Sequence, residues 1–394
     1  MTSPDDIAVL KGSRNTVPIY SSRLSPTGWA SVLVNTIVVF AVLLSTLEVS
    51  AQSKSGRSYY VYVCAESDDE VALIRFGPSG TEMLKRISVG SFPAENEGPH
   101  GINVSPDGRH WYVSLAHGMP FGSVHKYETG TDQWVTDVTL GMFPATLDIA
   151  ASTGLMYIVN FNLHGLMEPS TVSVVETRSM TEVAQVETGV MPHGARLSHD
   201  GRWLYTVSMM NDKLVELNAL TFEVSRQLKL GDPVGNGRVG MESVEVAGLV
   251  QPTWVSRPTP QGKVYVTGNA SNEIFEVDLD TWMITRKFEE TGAGPYNLDV
   301  TPDGRILVVT YKKDAAVGFW DLETGDELGR ITTLRTVPHG VAITTDGRYA
   351  FATIEGVGGE PGGLEIYDIE TRERVGDIEV GKQAGGVAFW KMEP

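Results

Sequence analysis

Six segments that open on proline and close on a turn recur along the chain. They are PHGINVSPDG from Pro99, PATLDIAASTG from Pro144, PHGARLSHDG from Pro192, PTWVSRPTPQG from Pro252, PYNLDVTPDG from Pro295 and PHGVAITTDG from Pro338. Their spacings are 45, 48, 60, 43 and 43 residues, and a degenerate seventh copy, AGGVAFWKMEP, begins at Ala384. A unit this short cannot bury its apolar face alone and must stack on copies of itself, so the chain is confined to a propeller or another repeat array.

Within each unit the pattern is β throughout. An alternating stretch such as GINVS leads to a PDG or HDG turn, then to a β-rich stretch such as WYVSL, MYIVN, VYVTG or ILVVT. A third alternating run follows (TVSVVET, EIFEVDLDT, GLEIYDIET), and a fourth ends in glycine (EVAQVETG, ERVGDIEVG). Period-two alternation between Gly/Asp/Asn turns marks four short antiparallel strands, which is one propeller blade. No long amphipathic helical pattern appears after residue 52. Residues 59–90 supply only strands two to four, whereas the carboxyl end supplies a lone first strand. The expected fold is therefore all-β: a seven-bladed β-propeller of four-stranded antiparallel blades, its ring closed by a blade shared between the N- and C-termini. Such closure leaves no open sheet edge.

The first 51 residues differ in kind. Lys11, Arg14 and Arg23 precede an apolar run from Trp29 to Leu47, followed by EVSAQS with Val49 and Ala51 at signal-peptidase positions. The division is thus a signal peptide or N-terminal membrane anchor over 1–51 and the propeller over 52–394. Both readings place the propeller outside the cytoplasm, periplasmic or secreted, and membrane attachment follows only if the segment is uncleaved. The 394-residue chain carries 49 Asp+Glu against 31 Lys+Arg, a net charge of −18, so nucleic acid is not an expected partner. Its one cysteine, Cys64, forbids an intramolecular disulfide. The equivalent second-strand places hold Ser114, Val159, Val207, Thr267, Thr310 and Thr353, so Cys64 reads as a small packed residue.

The stretches VYVTGNASNEIFEVD (264–278) and MYIVNFN (156–162), with the SPDG and TPDG turns, resemble the YVTN-repeat β-propellers across essentially all of residues 52–394. That resemblance implies an exported propeller and, since such propellers bind many things, no one ligand. GPHGINVSPDG is also similar to the propeller half of nitrous-oxide reductases, where histidines of such motifs hold a copper cluster. The second, cupredoxin-like domain and the paired-histidine segment of those enzymes have no counterpart here.

In a propeller the first strand lines the central channel, and the residue after each motif proline takes equivalent places around one face, here called the top. Those places are held by His100, Ala145, His193, Thr253, Tyr296, His339 and Gly385. Histidines on three separated blades approach the axis from spread directions, as a metal tripod requires, and His117 and His164 follow second strands onto the same face. Neutral imidazoles suit copper or zinc. His110 and His199 belong by the turns at the bottom, and His125 in a third strand. The plainer reading is that His-Gly caps a strand and was copied by duplication. Trp254 and Tyr296 suggest an aromatic wall for a small ligand. Glu66, Lys312 and Glu355 share one column at the ends of second strands; Glu66 and Glu355 join Trp254 and Tyr296 as candidate cofactor-binding residues, although the column charges read most simply as solvated rim residues. The insertion 231–250 is expected on the top as a lid. Its GNGRVG is not a phosphate loop, because no helix follows it.

Three functions stay open from sequence. One is a binding module offering its top face to a protein or small molecule. A second is a metal-dependent (copper) oxidoreductase or its accessory. A third is a lactonase-like hydrolase, although lactonase propellers carry Arg-His after the proline where this chain has His-Gly.

Overall fold

The computed structural model describes residues 56–92, 94–231, 249–288 and 291–394. The sequence expectations for residues 1–51 and for most of the 231–250 insertion lie outside the described residues. The described residues form seven four-stranded sheets, each antiparallel and meandering outward in chain order. In six blades the four strands are consecutive, with inner strands Pro99–Val104, Pro144–Ile149, Pro192–Leu197, Pro252–Val255, Pro295–Val300 and Pro338–Ile343 for blades 1 to 6. In blade 7 the inner strand is Ala384–Glu393 and the other three are Ser58–Ala65, Glu70–Gly77 and Gly80–Ser88. The shared blade and the count of seven stand as the repeats implied. Among the described residues no helix is long and apolar enough to cross a membrane.

Burial falls from axis to rim. Second and third strands are buried almost throughout, whereas the outermost strand alternates, as in Glu223–Lys229. That is the pattern of a sheet packed on both faces inside and wetted at its edge. Neighbouring blades interlock through aromatic residues: Tyr62 of blade 7 stacks on Trp111 of blade 1 at 5.1 Å, and Trp111 on Tyr127 at 4.1 Å. The PDG-type turns are held by their own side chains. Ser105, Ser198, Thr301 and Thr344 each donate to the Asp two residues on at 2.6 Å. Each such Asp accepts the backbone N–H two residues further on, an Asx turn.

Two local devices aim the top-face residues. The residue before each inner strand adopts positive φ in all seven blades: Gly98, Phe143, Met191, Gln251, Gly294, Val337 and Gln383. Immediately after it, the register slips. In blade 1 Pro99 pairs with Leu115 but Ile102 with Val113, so three steps on the inner strand match two on its partner. The same slip occurs in the other six. A bulge of one extra residue re-aims side chains, and here it falls on the His-Gly position. The glycine is sterically required in blade 1: a Cβ on Gly101 would collide with the Ala145 carbonyl of the next blade.

Second-strand hydroxyls complete this inner ring. Thr310 Oγ1 receives the Asn297 N–H at 3.1 Å and donates to the His339 carbonyl of the following blade at 2.8 Å. Thr353 receives Gly340 N–H and donates to the Gly385 carbonyl, and Ser114 links Gly101 to Ala145 in the same way. Cys64 stands in this column, fully buried, with its thiol pushed up by burial and then by the Glu66 charge. It is a packed residue, as its column suggested.

Candidate functional site at the channel mouth

His100, His193 and His339 converge. The His100 ring centroid lies 5.5 Å from that of His339 and 6.2 Å from that of His193. Each approaches from the bulge of a different blade, so the gathering is a product of ring closure. Phe143 and Phe161 support them from outside, Phe143 against His100 at 5.2 Å and Phe161 against His193 at 4.7 Å.

Glu66 corrects the expectation of a solvated rim. It is 3% exposed and lies between two imidazoles. His100 donates from Nδ1 to its Oε2 at 2.8 Å, and His117 from Nε2 to its Oε1 at 2.7 Å. Burial alone would raise this carboxyl, but His100 and His117 outweigh it and hold it at about 2. The group is therefore ionised at any ordinary pH, and both imidazoles carry their proton on the nitrogen that faces it. His164 is exposed and adjoins this group, 5.4 Å from His117 and 5.2 Å from Phe143.

His193 behaves differently. It is 1% exposed, and burial, followed by the His100 charge, pushes it down to about 3. It is neutral, and its tautomer follows from its partners. Nδ1 faces the Thr253 carbonyl at 2.8 Å, which can only accept, so the proton is there. Nε2 must then accept, and the Tyr296 hydroxyl donates to it at 3.2 Å. The Tyr296 hydroxyl stays protonated, since burial and the charges of Glu355 and Glu66 push it well above its usual value. His339 is likewise held well below the imidazole range by burial, then by Lys312. Lys312 sits 3.7 Å above the Tyr296 ring and 2.7 Å from Glu355 Oε1, which lies 3.7 Å from His339 Nε2. The Glu355–Lys312 pair is thus part of the mouth.

Below the mouth the channel holds a cavity of about 230 Å³, with His100 and His339 at its upper end. Sequence reasoning placed Trp254 beside the mouth; it lines this cavity. Sequence reasoning also passed over four charged residues of the channel, Asp148, Arg196 and Asp299 on inner strands and Arg257 just past the end of one. Arg257 donates to Asp148 Oδ1 at 2.9 Å, Arg196 lies over the Trp254 ring at 4.9 Å, and Asp299 accepts the Ile343 N–H at 3.0 Å. A signal was present: Asp148, Arg196 and Asp299 share the fifth place of the motif, which faces the same way as the third. His110, His125 and His199 stand apart from the site. His110 opens a second strand, His125 is buried in a third strand, and His199 bonds the Pro258 carbonyl at 2.9 Å.

Among the described residues no group of three or more His, Cys, Asp or Glu side chains is arranged to hold a metal ion. Nδ1 of His100 is bonded to Glu66, Nδ1 of His193 to the Thr253 carbonyl, and Nε2 of His193 accepts from Tyr296. A metal at the three rings would bind through Nε2 and displace the Tyr296 hydroxyl.

No protein-family model matches the chain. No curated protein matches it either. Many solved structures are similar in fold. A Kuenenia stuttgartiensis hydrazine synthase chain is similar at 17% identity and a TM-score of 0.59, covering 76% of this chain and 93% of that one. A putative 6-phosphogluconolactonase from Bacteroides fragilis is similar at 14% identity and a TM-score of 0.65, covering 87% of this chain and all of the other. At these identities the likenesses carry the architecture alone, and what they join with the coordinates to establish is a seven-bladed β-propeller.

Proposed function

We propose that the chain is an exported binding module that takes a small polar ligand through its histidine-ringed mouth into the axial channel. One observation carries the reading: the cavity is preformed, and the imidazoles above it are held by Glu66, Thr253 and Phe143 from outside the channel. Concave sites with a few polar groups on a rigid frame are the usual form of a small-molecule pocket. The test is a thermal-unfolding screen of the full chain against small polar solutes, repeated on Tyr296→Phe and His339→Gln. A stabilising solute should lose its effect in both variants. Ligands whose stabilisation survives both would place binding elsewhere and end this reading.

A second reading has His100, His193 and His339 hold copper or zinc, with His117 and His164 nearby. It is favoured by the way Nδ1 of His100 and His193 is tied to a carboxylate and a carbonyl, since such ties orient imidazoles for a metal through Nε2. Such an ion would supply Lewis-acid or redox chemistry. Elemental analysis beside the triple alanine variant decides it: metal absent from both, with no rise in melting temperature on adding copper or zinc, removes the metal reading and leaves the binding module. A lactonase activity is supported only by the name of the Bacteroides fragilis neighbour and by top-face polar groups.

A further inference from the structure

Among the described residues, three channel residues keep polar groups without a close partner. Arg196 is half-buried in the wall; the charges of Asp148 and Asp299 act on it, but among the described residues no carboxylate oxygen lies within 4 Å of it. Its one hydrogen bond runs to the Ala195 carbonyl at 2.9 Å, and its guanidinium is stacked on Trp254. Arg257, by contrast, has Asp148. Trp254 is 8% exposed, and among the described residues its Nε1 has no hydrogen-bond partner. Asn297 is 3% exposed, and its Oδ1 has none either. Buried polar groups are ordinarily satisfied, and each one left unmade carries a desolvation cost. Arg196, Trp254 and Asn297 line the same cavity of about 230 Å³, the last two carrying that cost.

The chemistry of these groups specifies a guest. A guanidinium lying flat on an indole presents a planar fork, which matches a carboxylate. The indole N–H requires an acceptor. The Asn297 carbonyl requires a donor, and a hydroxyl group supplies one; Asp299, whose oxygens already accept the Val300 and Ile343 N–H groups, can accept a further hydroxyl. Asp148 and Asp299 answer Arg257 and part of the Arg196 charge, which leaves too little positive charge for a dianion such as phosphate. At about 30 Å³ per water, the space holds roughly seven waters, or one compact molecule of similar bulk.

We infer that the channel below the histidine ring is a binding site for a small hydroxylated monocarboxylate, with its carboxylate on Arg196 and Trp254 Nε1 and its hydroxyls toward Asn297 and Asp299. This deepens the binding-module reading and rests on it.

The experiment uses the full chain and four probes: threonate, the matched neutral polyol threitol, the matched unhydroxylated acid butyrate, and inorganic phosphate. Binding is followed by calorimetric titration and by melting temperature. Threonate should bind at least tenfold more tightly than threitol, butyrate or phosphate. Arg196→Gln should weaken threonate at least tenfold, because a charge-assisted pair is lost. Trp254→Phe, which keeps the stacking ring and removes the N–H, should weaken it several-fold and serves if Arg196→Gln fails to fold. No binding of threonate overturns the inference, as does equal binding of threitol or phosphate. So does a folded Arg196→Gln or Trp254→Phe that binds threonate like the parent. A screened solute that depends on Tyr296 and His339 but is indifferent to Arg196 keeps the binding-module reading and overturns this one.

Discussion

Replacing Glu66 with glutamine is the most informative single change at the mouth. The carboxylate is buried and receives two imidazole N–H groups, at 2.8 Å from His100 and 2.7 Å from His117. Its pKa falls from 4.5 to about 2, and at about 1.4 kcal/mol per pH unit this corresponds to about 3 kcal/mol of folded-state stabilisation. Because the folded value is the lower one, that contribution is present above about pH 4.5 and is lost as the pH falls through about 2. Glutamine keeps the shape but not the charge. With an unfolding entropy of about 2 cal/mol/K per residue over Ser55–Pro394, the expected drop in melting temperature is about 4 °C. Scanning calorimetry of parent and variant between pH 2 and pH 6 reads it directly. The gap should be full at pH 5 to 6 and should close toward pH 2 as the parent carboxylate takes up its proton. A gap of the same size at pH 2 and pH 6 would mean that Glu66 acts by packing alone, and no gap at all would mean that the two imidazoles do not stabilise its charge.

Gly101→Ala should destabilise by at least about 3 kcal/mol, because the new Cβ meets the next blade's Ala145 carbonyl, which Ser114 holds in place; Gly359→Ala, with nothing within 4 Å, is the neutral control in the same denaturant titration. Deleting residues 384–394 removes the inner strand of blade 7 and exposes the second strand Ser58–Ala65 as an open edge. The outcome expected is loss of the cooperative unfolding transition of the whole ring, and a truncated chain that melts like the parent would contradict closure by the shared blade.

The repeat fixed the architecture so firmly because a propeller is local. Each blade's turns, alternation and strand lengths are written within its own segment, and the Ser105–Asp107 type of turn needs no distant partner. The shared blade was legible for the same reason, since the strands missing at one end are those present at the other. The column of position-two residues was also legible, and it named His100, His193 and His339 as neighbours before any coordinates. Misjudged were the charges: Glu66 looked like a rim residue because it shares with Lys312 and Glu355 the column at the ends of second strands. Only its position between His100 and His117, from a different blade, makes it a buried anion.

Sequence by itself determined the number of blades, their strand order, the closure of the ring and the convergence of the residues after each motif proline. Those depend on hydrogen bonds and alternation between residues close in the chain or equivalent by repeat. Tertiary structure alone decided which nitrogen of His100, His117 and His193 is protonated, which charges in the channel are paired, and that Trp254 and Asn297 are left with unmet bonds among the described residues. Such features arise from contacts between different blades at Å separations, and they depend on how far each blade is rotated about the axis, a quantity that no repeat spacing encodes.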